Sequence, residues 1–401
     1  MARSRRVQGA VRRGRHGRSA TTARIERPGP RPLLSACLIV KNEARYLGAC
    51  LRSLTGLVDE IIVVDTGSTD TSRWIARRHG ARVFDFEWID DFAAARNRAL
   101  DQARGEWILY IDADEHVRPA SASRLREQLS SPAHVAYYVL LHSRPGLTAY
   151  WEMRLFRNDP RVRFGGVIHE NIWPALAAYR ADRGGRIGRS ELVLDHEGYE
   201  GDQSAKHRRN LPLLKKRLRA DPTAVYSWCH LAGIYAATGK LRLAERAWTR
   251  ALEVVRAKPY RQPEDCLPYV GLIERGLRRG RAVEDLLEEA LVKFPRNLYL
   301  QYLYGKALMR AGRFAEAIPV FERLRRSGEA GDYDHSFAYD VRLLDVIPYE
   351  SLAACHFKLG HYAESRRYYE LAAACDPGKL EYRVKQALCA RLEPRSGLAR
   401  T

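Results

Sequence analysis

No apolar run in this chain approaches the ~18 residues that a membrane-spanning helix needs. The longest candidates, Leu34 to Val40 and Tyr137 to Leu141, have the length of strands. The first residues lack the apolar core of a secretory signal. The expected location is therefore cytoplasmic, or peripheral at the inner face of a membrane, without stable insertion. Cysteine is sparse and scattered, at Cys37, Cys50, Cys229, Cys266, Cys355, Cys375 and Cys389, with no C-x-x-C pair. An odd, dispersed set argues against a disulfide framework and against a cysteine zinc site. G-x-G-x-x-G and G-x-x-x-x-G-K-[ST] are both missing, so neither a dinucleotide fold nor a P-loop is supported. Acidic residues are outnumbered, 48 against 68 Lys and Arg, which leaves a net charge of +20. Residues 1–33 hold ten Arg and one Glu among Gly, Ser and Pro. Residues 1–32 read as a disordered Arg-rich tail. That tail has no aromatic residue on which a base could stack, which disfavours nucleic acid as a partner.

At 401 residues the chain is long enough for two or three cores. From Leu33 to about Gly198 strands alternate with helices. Leu34 to Val40 and Glu60 to Asp65 are short apolar strands, and Glu43 to Leu54 has helical spacing, with Leu47, Leu51 and Leu54 on one face. Ser68 or Asp70 caps a helix reaching about His79, Val83-Phe84 is a third strand, and Asp91 caps a helix over Phe92 to Ala103. This rhythm implies a mostly parallel sheet with right-handed crossovers. Residues 135–196 suggest shorter, partly antiparallel strands.

Beyond about Tyr199 strand signals vanish. Trp228, Leu231, Tyr235, Gly239, Ala244, Trp248 and Ala251 follow the tetratricopeptide spacing. Gly305, Gly312, Ala317 and Phe321 repeat its second half, and Leu352, Gly360, Tyr369, Ala372 and Pro377 repeat it again. Gly271, Ala290 and Pro295 mark a weaker copy. About four helical hairpins are expected over 223–395, since stacked units bury a core that one cannot.

The run Trp107 to Glu115 ends a buried strand on Asp112-Ala113-Asp114. Strand alternation puts both carboxylates on one side, where a Mg²⁺ or Mn²⁺ bridging to a diphosphate would relieve their repulsion. Three other segments converge on the same sheet edge: Lys41-Asn42-Glu43, Asp65 to Asp70, and Asp91 to Asn97. Asp65 suits a donor group of a base or ribose, and Gly67 permits a tight turn beside a ligand.

The order V-K-N-E, V-D-T-G-S-T-D, D-D-F-A-A-A-R-N, I-D-A-D-E resembles the nucleotide-sugar domain of family 2 glycosyltransferases, which have the GT-A fold. Arg154 to Asn158, Phe164 to Glu170 and His196 to Tyr199 are similar to the bacterial subgroup that fuses this domain to tetratricopeptide repeats and includes bacteriocin S-glycosyltransferases. The resemblance implies an α/β domain over 33–200, a linking helix over 201–222, and an all-α repeat solenoid. It implies a nucleoside-diphosphate sugar donor (a UDP-sugar first), a divalent cation, and inversion at the anomeric carbon. Asn42, Glu43, Asp65, Gly67, Ser68, Arg96, Asn97 and Asp112 would bind the nucleotide sugar. Asp112 and Asp114 would hold the metal, or Asp112 the ribose and Asp114 the metal. His196 is a candidate third ligand, and His169 competes with it. Glu170 is the candidate general base, with Glu197 and Asp195 next. Arg154 and His169 are expected on the acceptor side. The acceptor would be a peptide, protein or glycan recruited by the repeats, which would also offer a surface for a protein partner. The alternative is a repeat scaffold carried on an inactive transferase-like domain.

Overall fold

The computed structural model describes residues 31–198 and 204–393. The tail expected over 1–32 lies almost wholly outside them, as do Tyr199 and the last two residues of the expected repeat region. The N-terminal half is built from β1 (Leu34–Val40), α1 (Leu47–Leu54), β2 (Glu60–Asp65), α2 (Ser72–Arg78), β3 (Arg82–Asp85), α3 (Phe92–Gln102), β4 (Trp107–Tyr110), β5 (Glu115–Val117), α4 (Ala122–Leu129), β6 (His134–His142), β7 (Tyr150–Arg157), α5 (Trp173–Arg183) and β8 (Arg186–His196). One eight-stranded sheet runs β3-β2-β1-β4-β7-β6-β8-β5.

The strands β1 to β4 pair in parallel, as their apolar runs and helical crossovers require. The other half of the sheet is partly antiparallel, as expected for residues 135–196. There β4–β7, β6–β7 and β5–β8 are antiparallel and β6–β8 is parallel, so the sheet is mixed with four of its seven pairings parallel. Its strands are also long, not short: β6, β7 and β8 have 9, 8 and 11 residues. Leu47, Leu51 and Leu54 are fully buried beneath the sheet. The helix carrying them starts at Leu47, because Glu43 to Tyr46 form a turn first.

Helices make up the rest of the described chain. A long α6 (Ser204–Ala220) leads into α7 (Val225–Ala237) and α8 (Leu241–Ala257), α9 (Leu267–Arg278) and α10 (Glu284–Lys293), α11 (Leu298–Arg310) and α12 (Phe314–Ala330), α13 (Val346–Lys358) and α14 (Tyr362–Cys375), and α15 (Leu380–Leu392). Successive pairs stack as tetratricopeptide-like hairpins. Ala244 and Ala251 are fully buried, and Ala244 packs in a small cluster with Ala232, Ala247, Trp228 and Trp248. A small residue is what lets α7 and α8 cross closely there. Ala244→Leu would overpack that crossing, and the variant should lose about 1–3 kcal/mol of stability, read as a lowered melting temperature.

The repeats touch the sheet domain at two places. Ile168 is buried with Leu213, Leu214 and Leu218 of α6 and Leu231 and Ile234 of α7, with Trp88, Phe92 and Val167 alongside. Further along, the segment between α12 and α13 docks on the β6–β7 turn through backbone bonds. Thr148 N donates to Tyr339 O at 2.7 Å, Trp151 N to His335 O at 2.9 Å, and Val341 N to Gly146 O at 2.9 Å. Nothing in the local periodicity announced this clasp.

Among the described residues no helix is long and apolar enough to cross a membrane. All seven cysteines are unpaired thiols.

Candidate active site

Asp65 ends β2 and is 2% exposed. Its Oδ1 accepts from Gly67 N at 3.1 Å and Ser68 N at 3.0 Å. Gly67 turns there at φ +101°, a region that disfavours side chains. Oδ2 is buried without a hydrogen-bond partner. A buried carboxylate oxygen left open at a strand end calls for a donor from a ligand.

Asn42 and Ser68 face each other. Asn42 N donates to Ser68 Oγ at 2.9 Å, and Asn42 Oδ1 accepts from Thr69 N at 2.7 Å. The pair laces two strand-end loops together. Glu43 stands nearby. Burial first, then Asp114, Asp112 and Asp70, lift its carboxyl to about 7, while Arg209 of α6 pulls the other way. Asn97 is likewise structural: its amide donates to Phe164 O at 3.0 Å and accepts from Phe164 N at 2.9 Å.

Asp112 and Asp114 lie past the end of β4, in a turn closed by Glu115 N donating to Asp112 O at 3.1 Å. They are brought together by this turn and not by strand alternation. Asp112 Oδ1 accepts from Arg96 Nη2 at 2.7 Å, and its Oδ2 lies 3.7 Å from Arg154 Nη1. Burial alone would raise the Asp112 carboxyl, but the two guanidinium groups hold it well below the ordinary range. Arg96 Nε donates to Glu170 Oε1 at 2.6 Å, so one buried arginine joins Asp112 to Glu170.

Arg154 is 4% exposed and lies deeper than an acceptor-side position alone would require. It donates to the fully buried Glu115 at 2.8 Å, and Glu115 Oε2 in turn accepts from Asp112 N at 2.9 Å. Its Nε and Nη1 have no hydrogen-bond partner. Both arginines lie over the Tyr110 ring, Arg96 at 5.0 Å and Arg154 at 4.6 Å from its centre.

Asp114 Oδ2 lies 3.4 Å from His196 Nε2. His196 Nδ1 accepts from Gly198 N at 3.2 Å, which places the ring proton on Nε2. Ligation of a metal through Nε2 would need the other tautomer and would give up that bond. No group of three or more His, Cys, Asp or Glu among the described residues is arranged to hold a metal. The donor set therefore does not fit a resident ion caged by protein. It does fit a hard cation that shares Asp114 with diphosphate oxygens, because Mg²⁺ characteristically uses one or two carboxylates plus substrate phosphates.

A cavity of about 1750 Å³ opens beside these groups. The sheet domain lines it with Arg96, Asp112, Trp151, Arg154, His169 and Glu170. The repeats line it through the 258–264, 293–297 and 333–338 segments. Asp65, Glu43, Asp114 and His196 lie outside this lining. Arg96 and Asp112 thus stand on the wall between the strand-end loops and this open cavity.

His169 does not sit beside Asp114. Its ring packs on His230 at 4.1 Å and Tyr226 at 4.8 Å, both from α7. Burial is the main cause that lowers His169 to about 3 and His230 to about 4, with neighbouring cations such as Lys206 adding. Free histidine titrates near 6.5. Below that pH the unfolded chain takes up protons that these folded rings refuse, so stability falls with acid and is fully present above the window. Melting temperatures should drop between about pH 6.5 and about pH 4, and less steeply in His169→Phe/His230→Phe.

The linking helix contributes charge that no motif revealed. Arg209 stacks 5.4 Å from the Phe92 ring and faces Glu43, and Lys206 lies close enough to act on Asp114 and His196. Only their Lys/Arg-rich context was visible in the sequence.

Strand ends thus converge on paired carboxylates, with helical repeats packed beside them. The chain belongs to family 2 of the glycosyl transferases, and residues 35–184 match the family model of that description. The lipopolysaccharide core biosynthesis glycosyltransferase LpsC of Rhizobium meliloti is 30% identical over 183 residues, 42% of this chain and 67% of that protein. A TPR repeat-containing protein of Synechococcus elongatus is 36% identical over 265 residues, 64% of this chain and 66% of that one. The glycosyltransferase SunS of Bacillus subtilis is 31% identical over 202 residues, 48% of this chain and 46% of SunS. The chain thus spans about half to two thirds of the length of these relatives.

Proposed function

We propose that this glycosyltransferase moves a sugar, with inversion, from a nucleoside-diphosphate sugar to an acceptor seated in the cavity between the sheet and the repeats. The observation that carries the reading is the chain Asp112–Arg96–Glu170, which links the strand-end turn to the cavity wall. Asp65, through its open Oδ2, would receive a donor group of the nucleoside; a UDP-sugar is the first candidate. Asp114 would hold a divalent cation, Mn²⁺ or Mg²⁺, with His196 close by. When bound, the cation supplies Lewis-acid stabilisation of charge on the leaving diphosphate.

The protein's own residues would do the rest. Arg96 fixes the Glu170 carboxylate toward the cavity. As the acceptor atom attacks the anomeric carbon, its proton passes to Glu170 and the bond from that carbon to the diphosphate oxygen breaks. Lys206 and Arg209 would add positive charge over the diphosphate side. Trp151 and the repeat loops would hold the acceptor, a peptide, protein or glycan, in register. Residues 33–200 would carry the donor chemistry, 201–222 the link, and 223–395 acceptor recruitment or contact with a protein partner.

Screening nucleotide sugars for a rise in melting temperature, with and without Mn²⁺, tests this directly, because a ligand that binds only the folded state must stabilise it. A rise with one nucleotide class, larger with Mn²⁺, is expected. No shift with any donor at saturating concentration would remove the enzyme reading and favour a repeat scaffold.

A further inference from the structure

The segment Gly165–Asn171 is held from an unexpected side. It closes on itself through paired backbone bonds between Gly165 and Asn171, at 3.1 and 2.9 Å. Val167 O also accepts from Phe92 N at 3.0 Å, which ties it to the start of α3. At its tip Ile168 is 3% exposed, buried against α6 and α7. His169 follows with φ +51°, a left-handed conformation that a non-glycine residue adopts when its surroundings enforce it. What surrounds it is the first repeat. His169, Tyr226 and His230 form a triangle of rings, each pair 4.1 to 4.8 Å apart. The next residue is Glu170.

We propose that the first repeat helix is a working part of the active centre: His230, with Tyr226, clamps His169 and so sets the position of Glu170 against Arg96. His230 and Tyr226 act as positioning residues and touch neither donor nor acceptor atoms in this role. The repeats then do more than present an acceptor, since the sheet domain alone holds only one side of the loop that carries Glu170. The catalytic consequence rests on the role proposed for Glu170. The clamp itself does not.

The test uses the full chain. His230→Ala should speed hydrogen exchange over residues 165–171 and leave exchange in β1 and β4 unchanged. Sugar transfer should fall on the order of 10- to 10²-fold in kcat, because small misplacements of a catalytic group are costly, while the KM for donor stays near the parent value. His230→Phe keeps a ring and should restore both readouts. Parental exchange and parental kcat in His230→Ala would overturn the proposal. So would a failure of Phe to rescue, which would mean that the imidazole is needed for its proton or hydrogen bond and not for packing. If His230→Ala does not fold, Tyr226→Ala, at a ring 40% exposed, takes its place with the same expected outcomes. Transfer at the parental rate by Glu170→Gln would remove Glu170 as base, and the exchange measurement would still decide the clamp.

Discussion

Asp114→Ala is expected to abolish sugar transfer while the protein remains folded. The residue sits in a turn and not inside a strand, so no ladder bond depends on its side chain. Burial raises its carboxyl, as does Asp112, while His196 lowers it. Without a cation the charged form is therefore disfavoured, and its removal should leave stability unchanged or slightly higher. Its loss should weaken cation and donor together and lower transfer on the order of 10³-fold or more, as expected when charge on a leaving diphosphate goes uncompensated. Gly198 provides a second route to the same site. A Cβ there would lie 1.9 Å from Asp114 Oδ2, so Gly198→Ala must push the carboxylate aside. Both variants should lose the Mn²⁺-dependent part of the donor-induced rise in melting temperature. Parental turnover by Asp114→Ala would show that the cation, if one is used, is held elsewhere.

Local pattern carried much of the fold. β1 and β2 lie where their apolar runs place them, because a strand buried on both faces reads as a near-continuous apolar run. Asp91 caps α3 as its residue type suggests, with Oδ1 accepting from Ala94 N at 2.9 Å. The repeat spacing was legible because each hairpin needs a small residue, such as Ala244, at a fixed distance from an aromatic one. What escaped was non-local. The length of β6, β7 and β8 depends on distant partners, as Tyr137 with Leu155, 18 positions away, and Tyr138 with Arg189, 51 positions away, show. The clasp at 335–341 is made by backbone atoms, and backbone atoms have no sequence signature.

The candidate site divides in the same way. Residue type and order single out Asp65, Asp112, Asp114 and Glu170, and the fold brings them to one edge. Type alone could not separate a ligand-facing amide from a structural one. Asn42 and Asn97 lie inside convincing motifs, yet both spend their side chains on neighbouring loops. Arg154 and Glu115 form an ion pair buried on both sides, and only the pairing of β7 beside β4 puts them together. His169 was expected on the acceptor side, with metal ligation as a competing role. The structure turns it toward α7, because Ile168 beside it must be buried there.

Glu170→Gln should retain donor binding and lose transfer by about 10²–10⁴-fold, the usual contribution of a general base. Glutamine keeps the shape of the side chain, and its carbonyl oxygen can still accept from Arg96 Nε. The turn from Gly165 to Asn171 should therefore hold, and the melting temperature should change little. What glutamine lacks is the capacity to take a proton from the acceptor. Donor-induced stabilisation should match the parent, because Asp65 and Asp114 are untouched. The loss should appear in kcat with the donor KM nearly unchanged, the signature of an interaction made in the transition state. Arg96 adds a control. Arg96→Lys removes the two-pronged link between Asp112 and Glu170 and should impair donor binding and transfer together, since one ammonium cannot span both carboxylates in that geometry. A fall of less than about tenfold in Glu170→Gln would move the base elsewhere. Asp195 and Glu197 would then be the next to replace, although Arg118 takes both oxygens of Asp195, with bonds of 2.7 and 2.8 Å, whereas Arg96 takes only Oε1 of Glu170.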